Sequence, residues 1–204
     1  MWARRIELYS VLLIALSAIV VAWSAFEASK WGGEMSLKFS QASAARTESV
    51  REGDVANRYT VVDVGLLTNY VGAFARDDVE LANFYLSRFP DRLAVAAEAW
   101  LATDPFNDPT APASPFDMEE YVLAPAERAV ELQQRADELA AEAGEANQRS
   151  DNYTITSVFL ATVLLLAALS TKVGSVRLQR SLLIGATILF VATAAVIATL
   201  PVEI

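Results

Sequence analysis

Three long apolar stretches, almost free of charge, dominate this chain of 204 residues. They cover Ile6–Ala28, Tyr153–Thr171 and Leu182–Leu200, and the second and third contain no charged residue. A helix needs about 20 residues to cross the hydrocarbon core of a bilayer, so each stretch is long enough to span a membrane. Apolar residues make up 54% of the chain, more than is usual in soluble domains. The sequence therefore predicts an all-α membrane protein with three transmembrane helices.

The basic residues outside these stretches predict the orientation. They precede the first span or lie between the second and third: Arg4, Arg5, Lys172, Arg177 and Arg180. Because such residues favour the cytoplasmic side, both places are expected in the cytoplasm. The chain then divides into a cytoplasmic N-terminus with the first span (1–28), an extracytoplasmic segment (29–152), the second span (153–171), a basic cytoplasmic loop (172–181) and the third span with a short external tail (182–204).

The composition narrows the chemistry that is open to the protein. The chain contains no Cys and no His, so it lacks a thiolate nucleophile, an imidazole base and the usual zinc or haem ligands. No enzymatic activity and no cofactor are therefore predicted. The net charge is −9, and the segment 29–152 holds 22 acidic residues against 11 basic ones. This excess of negative charge argues against a nucleic-acid partner.

The segment between the first two spans has a helical pattern with one irregular stretch. We expect the first span to continue as a helix to about Ala75. Asp77 or Asp78 would cap a further helix, and Pro90 would begin a third. Prolines make residues 104–118 a loop, after which a helix resumes and enters the second span. The predicted extracytoplasmic domain is thus helical and built on the extended first and second spans.

Two rows of mostly small residues alternate spacings of three and four positions. The first row is Ala15, Ala18, Ala22, Ala25, Ser29 and Gly32, and the second is Ala129, Leu132, Ala136, Leu139, Ala143, Ala146, Ser150 and Tyr153. Small side chains let helices approach closely within lipid. The rows predict helix interfaces, either between subunits of a homo-oligomer or within one chain.

A polar row also runs along the first span. Its serines recur every seven residues, glutamates lie three residues beyond each end, and apolar residues lie four positions after two of the serines. The pore-lining candidates are Glu7, Ser10, Ile14, Ser17, Val21, Ser24 and Glu27. A ring of such helices would have carboxylates at both mouths and apolar constrictions, a pattern typical of cation pores. Alternatively, each serine bonds a carbonyl one turn back and the glutamates reach the interfaces.

The proline-rich loop gathers oxygen-bearing side chains. Asp104, Asn107, Asp108 and Asp117 could bind a hard cation such as calcium. Their spacing differs from that of an EF-hand loop. The alternative is a solvated acidic loop whose side chains cap turns and helices.

Several motifs resemble those of an uncharacterised group of small bacterial membrane proteins. The segment Trp23–Gly33 fits the pattern W-x-A-(Y/F)-(Q/E)-A-x-x-W-x-G, with Glu27 where glutamine is more frequent in the group. Three further stretches are similar: Glu80–Tyr85, Trp100–Pro105 and Glu145–Asp151. The resemblance implies a three-span protein of a bacterial inner membrane and implies no activity.

Two function hypotheses follow from these patterns. The first is a homo-oligomeric, cation-permeable channel that is lined by the first span. The second is a membrane-anchored binding or scaffold protein, without a pore, whose extracytoplasmic helices recognise a protein or a ligand. The bilayer itself is a partner under both hypotheses.

Overall fold

The computed structural model describes residues 2–203 of the chain, with side chains from Ile6 onward, and it is helical. The helices are α1 (Trp2–Phe74), α2 (Val79–Leu86), α3 (Asp91–Leu101), α4 (Ala124–Ser170) and α5 (Val176–Ile197), with a 3₁₀ turn at Pro115–Asp117. Residues 2–203 contain no strand. The basic side chains of Arg4 and Arg5, which help to predict the orientation, lie outside the described side chains.

Three of these helices are long and apolar enough to cross a membrane. The most apolar windows of α1, α4 and α5 have mean hydropathies of 2.2, 2.0 and 2.0. The prediction of an all-helical chain with three candidate spans is therefore confirmed.

Helix α5 begins before Leu182, the predicted start of the third span. Helix α5 begins at Val176, because the residues that follow Gly174 and Ser175 include no helix breaker. Arg177 and Arg180 consequently lie in the first turns of α5 rather than in a loop.

The chain forms two compact units, and the first consists of residues 1–42 and 137–204. Helices α1 and α4 run antiparallel in it. The Ser10 and Ser170 hydroxyls are 3.3 Å apart at one end, and the Thr156 hydroxyl donates to Ser24 over 3.4 Å nearer the other end. A core cluster of buried apolar residues joins α1, α4 and α5: Leu13, Val163, Ala167 and Ala186.

The two rows of small residues have different environments in the first unit. The second row lies on the buried side of α4, where Ser150 is half-buried and four members are at most 4% exposed: Leu139, Ala143, Ala146 and Tyr153. The membrane part of the first row is exposed on α1: Ala15, Ala18, Ala22 and Ala25. Within one chain, therefore, only the second row acts as a packing seam.

The second unit, residues 43–136, contains the other helical segments. Four buried residues of α1 recur every seven positions, Ser49, Ala56, Asp63 and Tyr70, and Ala73 is buried as well. Tyr70 belongs to a core cluster with Ala82 of α2 and Leu93 of α3. Helices α2 and α3 therefore pack against α1 in this unit.

The boundaries of α1 and α2 follow from two aspartates. Asp77 adopts a left-handed backbone conformation (φ 57°), which aspartate tolerates better than most residues, and α1 ends just before it at Phe74. The Asp78 carboxylate accepts a hydrogen bond from the Leu81 amide over 3.1 Å and caps α2, as predicted. Helix α2 then ends at Leu86.

Candidate functional site

The serine row of α1 faces the interior of the first unit. Ser10, Ser17 and Ser24 are each fully buried. The Ser10 hydroxyl donates to the Ile6 carbonyl one turn earlier, over 2.9 Å, and contacts Ser170 of α4. Within the described residues, the Ser17 hydroxyl has no hydrogen-bond partner. The row therefore packs against helices of its own chain.

The two glutamates beside this row have different surroundings. Glu27 is fully buried, whereas Glu7 is exposed. If the serines occupy the first position of a heptad, Glu27 falls at the fourth, which faces neighbouring helices, and Glu7 falls on the flank. The apolar candidates Ile14 and Val21 are half-buried. One carboxylate thus lies inside the bundle and the other outside it.

Glu27 helps to hold the residues that follow α5. Its Oε2 accepts a hydrogen bond from the Glu203 amide over 3.0 Å. The Trp31 indole and the Tyr153 hydroxyl both donate to the Pro201 carbonyl, over 3.2 and 3.0 Å. Among the described residues, Glu27 Oε1 has no hydrogen-bond partner. Glu27, Trp31 and Tyr153, which we call the tail clamp, therefore fix the tail against α1 and α4.

Ion pairs surround the tail clamp. Lys38 contacts Glu142 at 2.6 Å and Glu34 at 3.7 Å. The Arg149 guanidinium lies 4.5 Å from the centre of the Trp31 ring. A cavity of about 240 Å³ at this place is lined by side chains of both signs. The lining holds four glutamates against one lysine and one arginine, and two of these glutamates, Glu34 and Glu142, are paired with Lys38.

A buried ionic network lies in the second unit. Asp63 is fully buried and accepts two hydrogen bonds from Arg92, over 2.7 and 2.8 Å. The Tyr121 hydroxyl donates to the same carboxylate over 2.9 Å, and the Arg92 guanidinium lies 4.3 Å from the centre of the Tyr59 ring. The hydrogen bond to Asp63 raises the pKa of Arg92, and burial raises the pKa of Tyr121. The network joins α1, α3 and the segment that precedes α4.

The acidic residues of the proline-rich loop make local hydrogen bonds. Asp104 accepts a hydrogen bond from Asn107, and Asp108 accepts two from Thr110, which lower the pKa of Asp108. Asp117 completes a capping box at the 3₁₀ turn. Within residues 2–203, no three acidic side chains are placed to hold a metal ion. The alternative of a solvated loop with local caps accounts for these contacts.

A shallow groove lies between α2 and α3. It has a volume of about 320 Å³ and is lined by Leu86, Ala94, Glu98 and Leu101. Large apolar side chains are exposed on the same two helices: Val79, Phe84 and Val95. Exposed apolar surface in a water-facing domain is typical of an interaction site. We call the groove and these residues the α2–α3 surface.

The contacts of Trp31 and Tyr153 in the tail clamp were not predicted from the sequence. Trp31 and Tyr153 are nearly or fully buried and bind Pro201, whereas membrane-interface aromatics are usually part-exposed. The proline at the end of the third span was the available signal, because a helix rarely continues through proline and the free carbonyls before it need donors.

Comparison with protein-family models, with curated proteins and with solved structures finds no match to this chain. The class defined here is a helical protein with three candidate membrane-spanning helices.

Proposed function

We propose that this protein is a membrane-anchored binding or scaffold protein, in which the three spans form the anchor and the helices of residues 43–136 bind a partner. The burial of the serine row inside a single chain is the observation that carries this proposal. In that position the Ser10 and Ser24 hydroxyls contact hydroxyls of α4, so these two serines need no pore to account for them. The α2–α3 surface is the binding surface, and a protein with an apolar side chain for its groove is the partner.

The orientation proposed for the chain follows from its basic residues. The N-terminus and the turn between α4 and α5 are cytoplasmic, and residues 29–152 are extracytoplasmic. The resemblance to the bacterial group supports the inner membrane as the location. In this arrangement the α2–α3 surface meets partners outside the cytoplasm.

Site-specific photo-crosslinking in native membranes tests the binding proposal. A photoreactive residue in place of Leu86, in the groove, is expected to give a distinct heavier adduct. The matched control is Val130, which is 58% exposed on α4 of the same unit but lies outside the α2–α3 surface. Ala94→Glu should abolish the adduct at position 86, because a charge in the apolar groove would be left unpaired. Equal adducts at both positions would contradict the proposal.

A cation-permeable channel lined by α1 is the second candidate. Its support is the buried Ser17 hydroxyl, which has no hydrogen-bond partner among the side chains described from Ile6 onward. This hydroxyl belongs to a polar row that ends at Glu27. Purified protein in planar bilayers separates the two functions. The anchor proposal predicts no conductance, whereas the channel predicts a cation current whose selectivity falls in Glu27→Gln and whose size rises in Val21→Ser.

Self-association through the exposed alanines of α1 is also proposed. Ala22→Leu would enlarge a side chain at a close helix crossing and should weaken the oligomer roughly 5- to 150-fold, since overpacking costs roughly 1–3 kcal/mol. The measurement is the monomer fraction in detergent, by native mass spectrometry. Ala161→Leu is the control, because Ala161 is exposed on α4 outside both rows. A purely monomeric wild-type protein would rule out this contact.

A further inference from the structure

One face of α1 in the second unit is open to solvent. It lies opposite the buried residues that recur every seven positions, and its members alternate spacings of four and three: Asp54, Arg58, Val61, Gly65 and Thr68. All five are exposed. Val61, at 72%, is the most exposed of the large apolar residues that the structure describes. We call these five residues the outer row.

The fold of a single chain does not require a glycine at position 65. Glycine weakens a helix interior, and it is favoured where the backbone needs a positive φ or where another backbone approaches closely. None of the glycines within residues 2–203 has a positive φ. A Cβ atom added to Gly65 would meet no atom within 4 Å beyond its own helix backbone. Close approach of a helix from outside the chain is the reason that remains.

The charges of the outer row complement each other between two copies of the same face. Asp54 and Arg58 make no ion pair within the described part of the chain. They are four positions apart, which is about 6 Å along a helix. In a parallel pair of α1 helices related by a two-fold axis, the Arg58 side chain of each copy can reach the Asp54 carboxylate of the other. A second copy therefore supplies the opposite charge for both residues.

The direction of this pair follows from the proposed membrane anchor, on which the inference rests. Helix α1 is continuous from Trp2 to Phe74 and contains the first candidate span. Two copies in one bilayer therefore carry α1 in the same direction. Parallel helices whose contact residues alternate spacings of three and four bring equal positions together. Val61 then meets Val61 of the second copy, and the two Gly65 backbones approach each other.

We infer that the outer row is a dimer interface, in which α1 of one copy packs against α1 of a second copy. The contact lies in the second unit and is separate from the exposed alanines of the first. It leaves the α2–α3 surface accessible, because α2 and α3 pack on the opposite, buried side of α1.

Disulfide formation between single cysteines tests this interface, since the chain itself contains no Cys. With helix axes about 9 Å apart, the two Val61 Cα atoms would be about 5 Å apart and the two Val62 Cα atoms about 9 Å apart. A disulfide joins Cα atoms that are at most about 7 Å apart. In native membranes under mild oxidation, Val61→Cys should therefore form at least about tenfold more disulfide dimer than Val62→Cys. Val62 is the matched control, because it is 55% exposed on the same helix.

A charge exchange tests the ion pairs between the copies. In the Val61→Cys protein, Arg58→Asp should lower the dimer yield about tenfold, because two attractive pairs of exposed charges become repulsive. Adding Asp54→Arg to Arg58→Asp should restore the yield. Arg128→Asp is the control, since Arg128 is 59% exposed on α4 of the same unit, and it should leave the yield unchanged.

Failure of the anchor and failure of the interface give different results. Protein recovered in the soluble fraction would contradict the anchor and, with it, the parallel pair. Membrane-bound protein in which Val61→Cys and Val62→Cys crosslink equally would overturn the interface alone. So would a disulfide from Val61→Cys to a different protein, or a charge exchange that does not restore the yield lost in Arg58→Asp.

Discussion

Arg92→Met is expected to destabilise the unit of residues 43–136 by about 3–5 kcal/mol, because it leaves the buried Asp63 carboxylate without its positive partner. Asp63 is fully buried, and the Arg92 side chain is 24% exposed. Methionine keeps most of the apolar stem, so the loss is chiefly one of charge. In the full chain in detergent, the amides of α3 should exchange with deuterium more than about 100-fold faster.

A surface ion pair in the same unit provides the control. Arg128 and Glu131 are 2.9 Å apart, with side chains 59% and 66% exposed. Arg128→Met should lower the free energy of unfolding by less than about 1 kcal/mol, because water screens the attraction between exposed charges. Adding Asp63→Asn to Arg92→Met should recover part of the lost protection by removing the unpaired charge. If Arg92→Met lost no more protection than Arg128→Met, this account would be contradicted. The same holds if the double variant were no better protected than Arg92→Met alone.

The helices and the candidate spans could be predicted because their signals are local. Hydropathy alone identifies the spans, and one aspartate, Asp78, marks the start of α2 through its own side chain. Helix α5 begins before the predicted third span because polar residues such as Arg177 and Gln179 lower hydropathy without ending a helix.

The inward face of α1 could not be chosen from the sequence. In a water-soluble helix an apolar stripe marks the core, but in lipid the outside is apolar as well. The serine row and the alanine row of α1 both have heptad spacing, so neither pattern says which one faces α4. The structure buries Ser17 and exposes Ala18.

The network in the second unit depends on contacts between distant positions. Asp63 lies 29 positions from Arg92 and 58 from Tyr121. The neighbouring valines Val61, Val62 and Val64 are exposed, so no local pattern marks Asp63 as buried. Its burial follows from the partners that the fold brings to it.

Glu27→Met is expected to stabilise the first unit while it releases the tail. A buried carboxylate with one oxygen unpartnered among the described residues destabilises the fold. An apolar side chain of similar length should therefore raise the free energy of unfolding by about 2 kcal/mol. For a chain of this size, that corresponds to a rise of roughly 5 °C in unfolding temperature.

The tail should respond in the opposite direction, because the Glu203 amide loses its acceptor. Its exchange with deuterium is expected to become at least about tenfold faster, the factor that matches the loss of a charge-assisted hydrogen bond. Glu34→Met is the control, since Glu34 is half-buried and paired with Lys38, and it should change neither quantity appreciably. A Glu27→Met protein that melts lower than the wild type would show that the carboxylate stabilises the bundle, and an unchanged tail would show that Trp31 and Tyr153 suffice to hold it.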